Sequence, residues 1–385
     1  MVEPFSNDGH DIYLLGLVMN TPTSSAWQNY LDEQWLERTV EPVLAPEIPI
    51  IDPHHHLWDR PFSYETPQLL ADLESGHDVV GTVYVEAGKH YWPDGPMHLR
   101  PAGETAHLAN LAESIEHVAG KPRMLAGIVG GADLTADPAE LSELLDAHIA
   151  AGCGRFSGVR AKIFISFRAD TLEMMYAPGW NEQIKSSAFL SGVSQLSRKG
   201  LTLDLVCVHR QLTHVAHLAA AVPETSIVLD HLAPVASIDR VATPFDAMMD
   251  EWRRGIAALA PFENVFMKLG GLANPMMAHS LPEFRNIHDA DRPLSSIALA
   301  ELYQPFVEHA ITTLGASRCM FESNFPIDKR FTSYRVLWNA FKRLAMPYSQ
   351  DERRELLMGT AARAYNLGDR LGKTGGPRCT ATQLV

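Results

Sequence analysis

The sequence predicts a TIM (β/α)8 barrel with an N-terminal helical arm. Eight short runs rich in Val, Ile, Leu and Phe recur along the 385 residues, each followed by a longer stretch with helical spacing. Most runs are nearly continuous in apolar residues, as parallel strands covered on both faces are. No internal repeat and no low-complexity linker splits the series. A doubly wound open sheet also alternates strand and helix, but eight consecutive β-then-α units favour a closed barrel, which takes 250 residues or more as one unit.

Residues 1 to about 24 show no clear pattern. From Ser25 to about Val43, Trp27, Tyr30, Leu31, Trp35 and Leu36 recur at helical spacings, so residues 1–47 are read as an arm and helix. The barrel is expected over 48–370. Its strands are placed at Ile48–Asp52, Val79–Glu86, Arg123–Val129, Phe156–Ile163, Leu201–Val208, Ser226–Asp230, Asn264–Leu269 and Arg318–Phe321. Between the third and fourth, Asp137 is set to cap a helix, with Pro138 in its first turn, Glu140 completing a capping box and Gly152 at its end. Leu141, Leu144, Leu145 and Ile149 would form its apolar face. The loops at about 87–104, 164–180 and 270–295 are long and would form the rim above the strand ends. The tail, 371–385, is rich in Gly and Thr and is expected to be mobile.

Composition narrows the partners. With 32 basic against 46 acidic residues the formal charge is −14 and no basic run stands out, which argues against nucleic acid and anionic membrane surfaces. The four cysteines lack metal-ligand spacing and are too few for a disulfide framework, so they read as thiols in a reducing compartment. The N-terminal apolar stretch Ile12–Met19 is short and follows acidic residues, unlike a signal peptide, and no segment approaches a membrane span of about 20 apolar residues. A cytoplasmic protein acting on a small molecule is expected, with a homo-oligomer left open by the arm.

The densest chemical signal is Ile-Asp-Pro-His-His-His-Leu-Trp at 51–58. Residues two apart on a strand point the same way, so His54 and His56 share a face that can turn to the barrel mouth. Two imidazoles so placed suit one divalent metal ion. A polar strand end whose histidines bond only backbone and water is the plainer alternative. His209 ends the fifth run and His231 follows the sixth. Four histidines at C-terminal strand ends would converge on one pocket, an arrangement suited to metal-assisted hydrolysis.

Together with Met-Phe-Glu-Ser-Asn-Phe-Pro at 320–326, Asn264–Gly271 and Gly359–Leu367, these histidines resemble the amidohydrolase superfamily. The nearest likeness is to the amidohydrolase-related branch with sugar-lactone hydrolases, 2-pyrone-4,6-dicarboxylate lactonase and 4-sulfomuconolactone hydrolase. The resemblance runs from about Pro49 to Leu367. It implies a distorted (β/α)8 barrel, hydrolysis of a lactone or related ester or amide, and a site built on His54, His56, His209 and His231. It also marks a departure. The family's eighth-strand pattern, Gly-Ser-Asp-Trp-Pro, puts an aspartate where this chain has Asn324, and an amide takes no proton near neutral pH. Glu86, at the end of the second strand, is the first substitute as base, followed by Asp328 and Glu322, and His231 titrates in the right range.

Some members of that branch work without metal, using basic side chains. Arg160 and Lys162 on the fourth run and Lys268 on the seventh are therefore candidates to hold a substrate anion or a developing oxyanion, unless they point outward. Tyr91, Trp92, Phe167 and Phe325 could line a pocket. The expected function is a hydrolase using one divalent ion, Zn2+ or Mn2+. His54 and His56 would be ligands with help from His209 or His231. His231, Glu86, Asn324 and Arg160 would act in catalysis, and Arg160, Lys268, His209 and Asn324 in substrate binding. A decarboxylase or hydratase on the same barrel, and a non-catalytic ligand-binding barrel, are the alternatives.

Overall fold

A computed structural model describes residues 31–59, 62–116, 123–162, 165–167, 174–176, 183–235, 244–273, 281–285 and 287–371. Four strands open the barrel: β1 (Pro49–His55), β2 (Asp78–Val85), β3 (Arg123–Gly131) and β4 (Phe156–Lys162). β5 (Ile165–Phe167) and β6 (Met174–Tyr176) pair antiparallel in the loop that follows. β7 (Thr202–Val206), β8 (Ile227–Leu229), β9 (Val265–Leu269) and β10 (Cys319–Phe321) complete the barrel. The eight barrel strands are parallel and ordered β1-β2-β3-β4-β7-β8-β9-β10, each at a predicted place.

The ladder stops at β1 and β10, and the seam between them is closed just beyond β10. There His55 bridges Phe325, the His56 amide donates to the Phe325 carbonyl at 2.7 Å, and the Asn324 amide donates to the His54 carbonyl at 3.0 Å. The histidine run and the Ser-Asn-Phe segment are thus neighbours because they zip the barrel shut. Ile51, Val83, Val85, Val129, Val228 and Met320 fill the interior, and Ala361, Ala364, Tyr365 and Leu367, after the last strand, pack against them. Continuous Val/Ile/Leu strands follow from this double covering, since both faces leave water.

The helix Pro138–Ala151 starts where expected: Asp137 accepts from the amides of Ala139 at 2.9 Å and Glu140 at 3.3 Å. Its apolar face is shifted by one residue, however. His148 is buried and Ile149 is 39% exposed. His148 can turn inward because its Nδ1 meets Thr105 Oγ1 at 2.8 Å and its Nε2 faces the Gly131 carbonyl at 3.2 Å. The arm also differs from its predicted helix. Residues 1–30 of it, like the tail from 372, lie outside the described residues, and of the remainder only Glu33–Leu36 is helical. From Thr39 onward side-chain bonds to the barrel replace helical ones: Thr39 donates to the Pro293 carbonyl at 2.8 Å and Glu41 accepts from the Ser296 amide at 2.8 Å. No helix among the described residues is long and apolar enough to cross a membrane.

Gly158 lets β4 approach β7, since a Cβ there would lie 2.6 Å from the Thr202 carbonyl oxygen. Gly158→Ala should therefore destabilise the barrel by about 1–3 kcal/mol, as overpacking does. Its urea midpoint should fall, and an unchanged midpoint would show that the strands can part at no cost.

Candidate active site

The three histidines of β1 and its edge divide as strand alternation requires. His55 turns away and meets Thr82 Oγ1 at 2.9 Å, and burial, with the His54 charge next, pushes it down to about 3. His54 and His56 turn to the interior, their Nε2 atoms 3.1 Å apart. His56 Nδ1–H donates to the Val85 carbonyl at 2.7 Å, which leaves the lone pair on Nε2. Burial first, then the charges of His54 and Arg160, keep His56 well below the usual histidine range.

Behind His54 stands Lys268 of β9, fully buried. Its ammonium donates to Asp204 Oδ2 at 2.7 Å and Asp230 Oδ1 at 2.8 Å, and lies 3.0 Å from His54 Nδ1. Burial alone would lower Lys268, but Asp204 and Asp230 outweigh it and keep the amine charged. Tyr365 donates to Asp204 Oδ2 at 2.6 Å from the chain's final segment. Two of the three N–H groups of Lys268 are taken by carboxylates. It points inward, as one predicted option had it, with its ammonium against Asp204 and Asp230.

His231 follows β8 in a turn where His231, Leu232 and Ala233 all have φ between 46° and 59°, the left-handed region that non-glycine residues rarely enter. The turn places the ring beside His54, with ring centroids 4.7 Å apart. Its Nδ1–H donates to Glu322 Oε1 at 2.8 Å, and its backbone amide donates to the same oxygen at 3.0 Å. Glu322 Oε2 lies 2.9 Å from His54 Nδ1. Burial opposes charge on both partners, yet Glu322 raises His231, and His231 and His54 bring Glu322 down to about 2. Gly271 makes room: a Cβ there would sit 2.6 Å from His231 Nδ1. Asn324, also left-handed at φ 53°, donates from Nδ2 to Asp328 Oδ1 at 2.9 Å, so its amide oxygen is turned away from Asp328.

Arg160 of β4 pairs with Glu86. Its Nε donates to Glu86 Oε1 at 2.9 Å and its Nη2 to the Glu86 carbonyl, while Nη1 is 4.0 Å from Asp230 Oδ2. This pairing holds Glu86 as a counter-ion, which disfavours it as the base. His209 is buried beyond the end of β7. The strand ends at Val206 and the chain turns at His209–Gln211, so alternation no longer governs the ring. Its Nδ1 lies 3.4 Å from the Pro234 carbonyl and its Nε2 3.6 Å from Glu251 on the helix Phe245–Leu259. Tyr91 and Trp92 lie at the rim, Tyr91 exposed. Phe325 is buried against Tyr334, with ring centroids 5.3 Å apart. The side chains of Lys162 and Phe167 lie outside the described residues.

A family model for amidohydrolases matches residues 51–367. The chain belongs to the amidohydrolase family. An uncharacterized protein, y4mH, from Sinorhizobium fredii (strain NBRC 101917 / NGR234) is 30% identical over 349 residues, covering 83% of this chain and 99% of its own. An amidohydrolase from Burkholderia multivorans, solved with bound zinc, superposes with a TM-score of 0.61 at 24% identity, covering 82% of this chain and 99% of that one. The same Burkholderia protein with bound HEPES gives 0.60, at the same identity and coverage. These structures share the fold of the amidohydrolase described above.

Amidohydrolases generally hold a divalent ion, and the residues here fit one. Two nitrogens at ~2.05 Å from a tetrahedral ion stand roughly 3.3 Å apart, close to the 3.1 Å between His54 and His56 Nε2. His54, His231 and Glu322 each bring a ligand atom within 4.8 Å of the others. Asp230 Oδ2 and Glu322 Oε2 are buried acceptors without a hydrogen-bond donor among the described residues. Four linked carboxylates (Glu86, Asp204, Asp230, Glu322) face two fixed cations (Lys268, Arg160), an excess of two negative charges. Sequence reasoning missed Asp204 and Asp230. A lone carboxylate inside an otherwise apolar β7, and one abutting His231, were the available signals.

Asp328 gives a pH test. Burial, only partly offset by the His231 charge, raises it from 3.8 to about 7. A raised carboxyl contributes stability fully below pH 3.8, and that contribution is lost as pH rises to about 7, by at most about 4 kcal/mol at ~1.4 kcal/mol per pH unit. Asp328→Asn should therefore gain melting temperature relative to the parent between pH 4 and 7.5 and plateau above. A difference independent of pH would mean that Asp328 ionises freely.

Proposed function

We propose that this amidohydrolase hydrolyses a small carbonyl compound, a lactone or related carboxylic ester or amide, with one divalent ion, zinc or manganese, at His54 and His56 beside His231. The observation that carries this reading is the convergence of those three rings, at one barrel mouth, on a buried excess of carboxylate charge. The zinc bound by the Burkholderia multivorans relative supports the choice of ion. When bound, such an ion supplies a Lewis acid that polarises a carbonyl or acidifies water.

The protein's own groups supply the rest. His231 Nδ1–H is fixed on Glu322, so Nε2 is the nitrogen left to accept a proton. Glu322 stabilises the imidazolium formed, much as a carboxylate orients a catalytic histidine elsewhere. Arg160, oriented by Glu86, keeps the donors of Nη1 for an oxyanion or a substrate carboxylate. Asn324, its Nδ2 engaged by Asp328, offers its amide oxygen to water or to a substrate hydroxyl.

Protein purified without added metal or chelator should carry about one equivalent of zinc or manganese. It should turn over members of a lactone panel, lose that activity on chelation and regain it with metal. CO2 release from aromatic acids, with no lactone turnover, would instead establish the decarboxylase alternative. His54→Ala should abolish turnover with an unchanged circular dichroism spectrum, and full activity in the folded variant would sink the assignment. Arg160→Lys keeps a charge for Glu86 but loses the planar fork. It should raise KM for anionic lactones about tenfold, on the order of one charge-assisted hydrogen bond, with less effect on uncharged ones. Equal effects on both would remove Arg160 from substrate recognition.

A further inference from the structure

The loop after β2 carries a tyrosine, 41% exposed, whose hydroxyl turns back toward the strand ends. Gly131 closes β3, and a Cβ on it would lie 3.2 Å from Tyr91 Oη and 3.7 Å from Glu86 Oε2. The ladder partner of Gly131 on β4 is Arg160, whose Nε reaches across to Glu86 at 2.9 Å. Tyr91 Oη therefore stands beside the Glu86–Arg160 pair at the ends of three adjacent strands, in room that the missing side chain of Gly131 leaves.

The backbone on both sides of Tyr91 is tied down. Glu104 of the helix Ala102–Glu116 accepts from the amides of Ala87 at 2.9 Å and Lys89 at 3.2 Å, which fixes the start of the loop. Lys89 turns outward to Asp59 at 3.1 Å. His90, left-handed at φ 55°, stacks on His107 of the same helix with ring centroids 3.7 Å apart. The Trp92 amide donates to the Arg100 carbonyl at 3.0 Å. Tyr91 is thus delivered to the barrel mouth by a braced loop. Its hydroxyl makes no hydrogen bond among the described residues. Burial, with the Glu86 charge next, holds the phenol above its ordinary value, so it stays a donor.

We infer that Tyr91 determines substrate specificity: its hydroxyl and the Nη1 group of Arg160 together bind a carboxylate that the substrate carries on its ring, apart from the carbonyl that is attacked. The inference rests on the hydrolase reading above and deepens it by naming the substrate class, a carboxylated lactone or lactam. Glu86 holds the guanidinium through Nε and Nη2, which leaves the Nη1 edge toward substrate. Two donors, one charged and one neutral, match the two oxygens of a carboxylate, whereas an uncharged ring gives the guanidinium little to bind.

Calorimetry on the zinc-loaded protein compares pyroglutamate, a lactam that bears a carboxylate, with pyrrolidinone, the same ring without one. The variants are Tyr91→Phe, Gly131→Ala and the two combined. The parent should bind pyroglutamate at least about tenfold more tightly than pyrrolidinone. Tyr91→Phe should weaken pyroglutamate about tenfold and pyrrolidinone less than about twofold, on the scale of one charge-assisted hydrogen bond. Gly131→Ala crowds the hydroxyl, so it should weaken pyroglutamate about threefold in the parent and hardly at all once the hydroxyl is gone, the coupling expected of groups in contact. Tyr91→Phe that weakens both ligands equally, or neither, overturns the inference, as does a parent that does not distinguish them. Losses from the two substitutions that simply add do the same. Neither ligand has to be hydrolysed, so these outcomes are separate from the lactone panel, where an absence of turnover overturns the hydrolase reading itself.

Discussion

One buried ammonium organises this site. Lys268 Nζ contacts Asp204 on β7, Asp230 at the end of β8 and His54 on β1, so a single charge on β9 ties together four strands of the barrel. An isolated ammonium would not survive in such a place, because desolvation would force it neutral. Two carboxylates at hydrogen-bond distance reverse that outcome, and the lysine stays charged. Once it is charged, Asp204 and Asp230 are fixed in turn, with Tyr365 closing the cluster from below. His54 is then held at Nδ1 by groups that cannot move, and its Nε2 faces His56. The orientation of the pair is therefore set by the barrel wall and not by loops.

The groups beyond the strand ends are held differently. His231 and Asn324 both sit in left-handed backbone, which costs non-glycine residues of order 1–3 kcal/mol each and persists only when the surroundings compensate. Here the compensation is visible. The His231 amide and ring bond one Glu322 oxygen, the Leu232 amide donates to the Lys268 carbonyl at 3.0 Å, and the Asn324 amide closes the barrel seam on His54. The unfavourable turns aim side chains inward that an ordinary continuation would carry out to the helices.

The strands were legible because their signal is local: a parallel strand buried on both faces must be largely apolar, and most runs showed it. His54 and His56 were legible for the same reason, since alternation is a property of the strand itself. His148 was missed in its helix because a buried histidine is paired by Thr105 and Gly131, and neither is visible from helical spacing. Glu86 is read from sequence as a substitute base, with a salt bridge at the barrel mouth or metal ligation as the alternative, and the fold shows Arg160 upon it. Asp204 and Asp230 escaped notice because their partner, Lys268, comes later in the chain and meets them only when the barrel closes.

Charge balance unites these details. The Arg160–Glu86 pair is neutral in itself. The Lys268 cluster carries one net negative charge, from two aspartates and one lysine, and Glu322 adds a second. The excess therefore gathers on the side where His54 and His231 stand, which is where a divalent cation or a proton on His231 would relieve it. An aspartate at 324, as the family pattern has it, would place a third uncompensated charge within the same buried volume. With Glu322 present, the amide of Asn324 is the side chain that fits: it keeps the shape and the polarity and adds no charge for the barrel to neutralise.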